Sequence, residues 1–173
     1  TNKKLKFKVD LVKRTMTSKT ELLNDLFDRW EKAIPEYQGK FVKDGIVDEP
    51  QYVSAPTKIL FIAKEPNNPK QDAGDFRVWW REEIAYTFFF FFSEWSYGLL
   101  NSFPQYDDIW ANKGSAHKAI QSIAFMNIKK SGGLGNSEYD RMIEHLGKNF
   151  DFLHQQIDII SPDIIITGTS WKE

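Results

Sequence analysis

Ile59-Leu60-Phe61-Ile62-Ala63 is the stretch that decides the fold. A short, uninterrupted apolar run is typical of a strand that is covered on both faces, because neither set of alternating side chains then faces water. The polar, proline-marked residues Lys64-Glu65-Pro66 end the run. We therefore predict a central strand of a parallel sheet at residues 59–63.

Two further apolar runs repeat this pattern along the chain. Residues 123–128 read Ile-Ala-Phe-Met-Asn-Ile, and residues 163–167 read Asp-Ile-Ile-Ile-Thr. Segments with helical spacing lie between the runs, and before them Ser18 and Glu21 form a capping-box signature for a helix that Pro35 ends. Strands that alternate with helices predict the α/β class, as a three-layer α/β/α arrangement with a short, mainly parallel central sheet.

The length of 173 residues fits a single domain. We assign residues 1–173 to it, with residues 1–57 as an N-terminal arm and helical elaboration. Apolar and polar residues alternate from Leu5 to Leu11, which predicts an extended arm, and Asp44-Gly45 suits a tight turn between two short extended pieces. Ser137 with Asp140 predicts the start of a later helix.

Composition narrows the possible classes of protein. Hydrophobic residues make up 41% and charged residues 27%, the balance of a folded chain. The absence of cysteine excludes disulfides and thiolate chemistry and fits a cytoplasmic protein. The phenylalanine-rich run at 84–92 is much shorter than the roughly 20 apolar residues of a membrane span, so we expect it in the core. No set of side chains has metal-ligand spacing, so neither a metal nor another cofactor is expected.

A net charge of −1 limits how the chain could bind nucleic acid. A globally basic surface is ruled out, so any DNA contact has to be local. Positive charge is concentrated near the N-terminus, either as a phosphate-tracking arm or as a solvated face, at Lys3, Lys4, Lys6, Lys8, Lys13 and Arg14.

The loops that follow the predicted strands are the candidate site, because ligands of open α/β sheets bind at the carboxyl ends of the strands. These loops are residues 64–75, 127–136 and 168–170. The candidates for phosphate binding are Lys129, Lys130, Ser131, Gly132, Gly133 and Thr169. Glycine lets backbone N–H groups approach a phosphate, and lysine adds charge, although an ordinary strand-to-helix turn explains the pattern equally well.

Several of these residues carry a family resemblance. Lys64-Glu65-Pro66-Asn67-Asn68 resembles the water-activating motif Gly-Gln-Asp-Pro-Tyr-His of the uracil-DNA glycosylase superfamily, with Glu65 at the place of the catalytic aspartate. Asn127 is placed like the asparagine with which those enzymes read the base. Residues 153–168 resemble the helix-to-strand segment of the superfamily, and residues 41–50 and 124–133 are similar to a bacterial branch of it. Since the family continues into a further strand with a His-Pro-Ser motif, we expect the chain to be incomplete at its C-terminus.

The resemblance implies a base-excision enzyme that acts on a flipped uracil or modified base in single- or double-stranded DNA. Glu65 would orient or deprotonate the attacking water and stabilise the positive sugar. Asn127 would read the base edge, Phe76 would stack on the base, and Asn67 and Asn68 would complete the base pocket.

Two alternatives stay open on the sequence alone. One is a catalytically inactive module of the same fold that binds nucleic acid or a nucleotide, and the other is a hydrolase or transferase that acts on a small phosphorylated compound. The three histidines, His117, His145 and His154, lie in helical or pre-helical contexts, where we expect each to be structural or exposed.

Overall fold

The computed structural model describes residues 17–82, 87–111, 113–133 and 139–168. In these ranges a 3₁₀-helix spans Pro35–Tyr37. The α-helices are α1 (Lys19–Ala33), α2 (Glu49–Ser54), α3 (Phe76–Glu82), α4 (Thr87–Leu100), α5 (Tyr106–Ala111), α6 (Lys113–Gln121) and α7 (Tyr139–Ile160). The strands are β1 (Val42–Lys43), β2 (Gly45–Ile46), β3 (Ile59–Ala63), β4 (Gly74–Asp75), β5 (Ala124–Asn127) and β6 (Ile164–Thr167).

Four strands form the central sheet in the order β2-β5-β3-β6. Strands β5, β3 and β6 run parallel, and β2 lies antiparallel at the edge beside β5. Phe61 of β3 is in register with Phe125 on one side and Ile166 on the other. The three parallel strands therefore end at the same edge, and the prediction of an α/β fold with a mainly parallel sheet is confirmed.

Alternate strand residues belong to two apolar clusters. Leu60 and Met126 pack with buried residues of α1 and α7. Phe61 and Phe125 pack with buried residues of α3, α4 and α6. Because successive strand residues point to opposite faces, the two clusters lie on opposite sides of the sheet.

The first helix forms as its capping signature predicts. Ser18 Oγ accepts a hydrogen bond from the backbone N–H of Glu21 at 3.1 Å, and a Glu21 carboxylate oxygen accepts one from the backbone N–H of Ser18 at 2.9 Å. These two bonds satisfy N–H groups that have no partner within the first turn. The helix ends at Ala33, before Pro35.

One prediction about the strands is wrong in detail. The last strand was expected to be buried, but Ile164 and Ile165 are 39% and 46% exposed, because in the described chain β6 is an edge strand with β3 as its neighbour. The two short extended pieces expected around Asp44-Gly45 are present as β1 and β2, which belong to different sheets: β1 pairs with β4, and β2 pairs with β5. Gly45 has a φ of +106°, which suits glycine, and Asp44 is fully buried.

The phenylalanine-rich helix α4 is only partly core. Phe89 and Phe92 are buried, whereas Phe90 and Phe91 are 39% and 54% exposed. None of the helices in the described ranges combines the length and apolar character required to cross a bilayer. The predicted extended arm at Leu5 to Leu11 and the predicted cap at Ser137 lie outside the described residues.

Candidate functional site

The loops that follow β3 and β5 run side by side beyond the ends of the strands. The backbone N–H of Ile128 donates to the Ala63 carbonyl, and that of Lys129 donates to the Lys64 carbonyl, both at 3.0 Å. Farther along, the Gly133 N–H donates to the Pro66 carbonyl at 2.9 Å. This continued pairing holds the two predicted site segments against each other.

Two glycines make this close approach possible. A Cβ atom on Gly132 would lie 2.1 Å from the backbone oxygen of Asn68, and one on Gly133 would lie 2.1 Å from Glu65 Oε2. Real Cβ atoms do not approach other atoms this closely, so a side chain at position 132 would displace the backbone at Asn68, and one at position 133 would displace the Glu65 carboxylate. The glycines thus make room for Asn68 and for the Glu65 carboxylate.

Glu65 is the acidic centre of the site. Its carboxylate forms an ion pair with the Lys129 ammonium at 2.7 Å, and the Lys129 and Glu65 side chains are 17% and 9% exposed. Lys129 Nζ also donates to the Gly132 carbonyl at 3.1 Å. Two of the predicted site residues are therefore brought together, with Lys129 bound to the carboxylate of Glu65.

A cavity of about 360 Å³ opens beside this ion pair. Its volume falls in the range of small-ligand sites. One wall consists of Glu65, Gln71, Lys129, Gly132 and Gly133 from the two loops, and Glu36 contributes from the 3₁₀-helix. The other wall belongs to α7 and consists of Arg141, Met142, Glu144, His145 and Lys148. The cavity is thus lined by charged groups of both signs.

His145 also lines this cavity, although the sequence predicted a structural or exposed histidine at this position. Its side chain is 14% exposed, and Nδ1 lies 3.2 Å from Glu36 Oε1, bent away from ideal hydrogen-bond geometry. Burial lowers the pKa of His145, and nearby Glu36 opposes this effect. The spacing of Arg141, His145 and Lys148 places them on one face of a helix, which is the signal that the sequence offered.

The other two histidines fit the expectation for them. His117 Nε2 lies 3.0 Å from the Trp80 carbonyl oxygen and links α6 to α3. His154 is exposed, and its ring lies 4.5 Å from that of Phe150, one helical turn earlier.

Lys130 does not face the cavity. Its ammonium is fully buried and contacts both carboxylate oxygens of Asp44, at 2.7 and 2.8 Å. Asp44 also accepts hydrogen bonds from Gln156 Nε2 at 2.7 Å and from the backbone N–H of Asn127 at 2.8 Å. The prediction that Lys130 grips a phosphate is therefore wrong, because its charge is used inside the protein.

Asn127 is also placed differently from the expectation. Its side chain is 1% exposed, it is not among the residues that line the cavity, and its Nδ2 is buried without a hydrogen-bond partner. Asn127 ends β5 two residues after Phe125, so both side chains point to the face of α3 and α4, whereas α7 packs on the opposite face. Glu65 and Asn127 are not brought into one cavity.

The remaining predicted site residues lie either in the core or in the turn after β3. Phe76 is half-buried, with its ring centroid 5.3 Å from that of Phe125, and it is not among the residues that line the cavity. Asn67 is exposed and its backbone pairs with Gly133, while Asn68 Nδ2 donates to the Asp72 carbonyl at 2.8 Å. Ser131 is buried. Thr169 lies outside the described residues.

Among the residues that the structure describes, no group of three or more histidine, aspartate or glutamate side chains is placed to hold a metal ion. The fold and the site together define an α/β protein with an ion-paired carboxylate at the edge of the sheet where the parallel strands end. Comparison with known proteins adds no relative: no family model, no curated protein and no solved structure matches the chain.

Proposed function

We propose that the protein hydrolyses the N-glycosidic bond of uracil or a modified base in DNA, with Glu65 as a catalytic residue. The observation that carries the proposal is the position of the Glu65 carboxylate. It follows a central strand, it is almost fully enclosed, and it lines a cavity of small-ligand size. Because ligands of open α/β sheets bind at the carboxyl ends of the strands, a carboxylate in this position is a candidate for chemistry.

The reaction would use the negative charge of Glu65. As the bond between the sugar C1′ and the base nitrogen breaks, the sugar develops positive charge, which a fixed carboxylate in an enclosed site stabilises. A water molecule forms the new C1′–oxygen bond, and the proton it loses neutralises the departing base. Lys129 holds the carboxylate in place through the 2.7 Å ion pair.

The charges around the cavity support a local contact with a nucleic-acid strand. Arg141 and Lys148 lie at the exposed side of the α7 wall, where they supply local positive charge in a chain of net charge −1. Lys148 also contacts Glu144 at 2.6 Å. Phosphate contacts of this kind position a strand without reading its sequence.

The test is a panel of oligonucleotides that carry uracil, hypoxanthine or a modified cytosine, incubated with the protein and then assayed for abasic sites. We expect abasic sites in at least one member, and we expect Glu65→Gln to lower the excision rate at least about 100-fold, the low end for loss of a group that stabilises charge in the transition state. Glutamine keeps the shape that packs against Gly133.

The matched control is Glu82→Gln, which changes an exposed glutamate of α3 that does not line the cavity. Its rate should equal that of the unaltered protein. Absence of excision from every oligonucleotide would reject the proposed function, and full activity of Glu65→Gln would remove Glu65 from the mechanism.

A further inference from the structure

We propose that His145, oriented by Glu36, is a second catalytic residue and accepts the proton of the attacking water through Nε2. The inference rests on the proposed function and assigns separate tasks to the two walls of the cavity. Glu65 stabilises charge at the sugar from the loop wall, and His145 activates water from the α7 wall.

The orientation of the ring selects the nitrogen that reacts. Nδ1 is buried and lies 3.2 Å from Glu36 Oε1, and His145 lines the cavity. Because Nδ1 is enclosed, the proposal assigns the reaction to Nε2, the other ring nitrogen. The Glu36 carboxylate, 3.2 Å from Nδ1 but outside hydrogen-bond geometry, favours the tautomer with the hydrogen on Nδ1 through its negative charge. Nε2 then carries a lone pair, which is what a proton acceptor requires.

Because Glu65 is already bound by Lys129, a second group that accepts the proton of water is useful in this site. Glu65 Oε2 already accepts a hydrogen bond from Lys129 Nζ at 2.7 Å. An oxygen that is bound to an ammonium is a poorer acceptor for a water proton, but its negative charge still acts on the sugar. Charge stabilisation and proton removal are thus divided between two side chains.

Buried contacts fix the distance between Glu36 and His145. Asn149 Nδ2 donates to Tyr37 Oη at 2.9 Å and to the backbone oxygen of His145 at 2.6 Å. Trp30 Nε1 donates to Asn149 Oδ1 at 2.8 Å. Asn149 therefore ties the 3₁₀-helix, which carries Glu36, to the turn of α7 that carries His145. Burial raises the pKa of Tyr37 to about 12, so the hydroxyl stays neutral in this network.

The proton balance of the step is complete. Nε2 takes one proton from water as the water oxygen bonds to C1′. The electrons of the broken C1′–nitrogen bond remain on the base, and the proton on Nε2 passes to the base as it leaves. No oxidant, reductant or further reactant is needed.

The charged groups around the ring set the expected pH dependence. Glu36 and Glu144 favour the imidazolium form, whereas Lys129 and Lys148 disfavour it, and burial is the largest cause of the lowered pKa of His145. Arg141 and Glu65 line the same cavity. The active neutral form is therefore present at neutral pH and is lost as the pH falls through the lowered pKa, which lies below the ordinary value of 6.5.

The experiment measures single-turnover excision against pH on the oligonucleotide that the unaltered protein processes. His145→Gln should lower the plateau rate about 100-fold and remove the fall at acid pH. The control is His154→Gln, the exposed histidine of the same helix, which should keep both the rate and the profile. Glu36→Gln should move the fall to lower pH, since Glu36 raises the pKa of His145.

A nitrogen-detected NMR titration of His145 separates the two proposals. The inference expects the hydrogen on Nδ1 at neutral pH and a titration that follows the acid limb of the rate. Excision by His145→Gln at the original rate and profile would overturn this inference and leave the proposed function standing. Absence of excision by the unaltered protein would overturn the proposed function, and a ring protonated on Nε2 at neutral pH would independently overturn the role of Nε2 as acceptor.

Discussion

Replacing Lys130 with methionine is expected to lower the free energy of unfolding by about 3 to 5 kcal/mol, the cost of removing one partner of a buried ion pair. Both side chains of the Lys130–Asp44 pair are fully buried, so the variant leaves a carboxylate inside the protein without its cation. Burial lowers the pKa of Lys130, and Asp44 opposes this effect by favouring the charged ammonium. Urea unfolding measures the difference.

Two further variants show whether the cost comes from the unpaired charge. Asp44→Asn combined with Lys130→Met removes both charges, so it should lose less stability than Lys130→Met alone. Lys118→Met changes an exposed lysine of α6 and should stay within about 0.5 kcal/mol of the unaltered protein. A loss below about 1 kcal/mol for Lys130→Met would contradict the buried ion pair, because loss of even an exposed pair can cost that much.

Gly133→Ala is expected to abolish most of the activity while the fold is retained. The added methyl group would lie 2.1, 2.2 and 2.6 Å from the three atoms of the Glu65 carboxyl group, so the carboxylate has to leave its position. We expect an excision rate near that of Glu65→Gln, about 100-fold or more below the unaltered protein, together with a loss of about 1 to 3 kcal/mol of stability from overpacking. Single-turnover excision and urea unfolding measure the two effects.

Gly147→Ala is the matched control, since a Cβ atom on this α7 residue would meet no atom within 4 Å. Alanine in a helix should raise the stability by about 0.5 to 1 kcal/mol and leave the rate unchanged. Equal rates for Gly133→Ala and Gly147→Ala would show that the Glu65 carboxylate can move without consequence.

The central sheet could be predicted because its signal is local. The run from Ile59 to Ala63 is apolar at every position, and such a run forms a covered strand wherever it packs. The run from Ile164 to Ile166 looks the same in sequence, yet its exposure depends on whether another strand lies beside it. That is a property of the sheet, which the run itself does not encode.

The candidate site was predicted in part, because proximity along the chain indicates only some of its contacts. Lys129 and Lys130 are adjacent and chemically equal in sequence, but one binds Glu65 and the other binds Asp44. Which lysine faces which carboxylate depends on the direction of the chain after β5. His145 lies 80 positions beyond Glu65, and only the packing of α7 against the loops places both at one cavity.

The most direct test of the central claim is a crystal structure of the Glu65→Gln variant with the processed oligonucleotide. We expect the base to be turned out of the strand and bound in the cavity between Gly133 and α7. The sugar C1′ should be separated from the substituted side chain by no more than one water molecule. A nucleotide bound elsewhere, for example on the exposed aromatic side chains of α4, with this cavity empty, would contradict it.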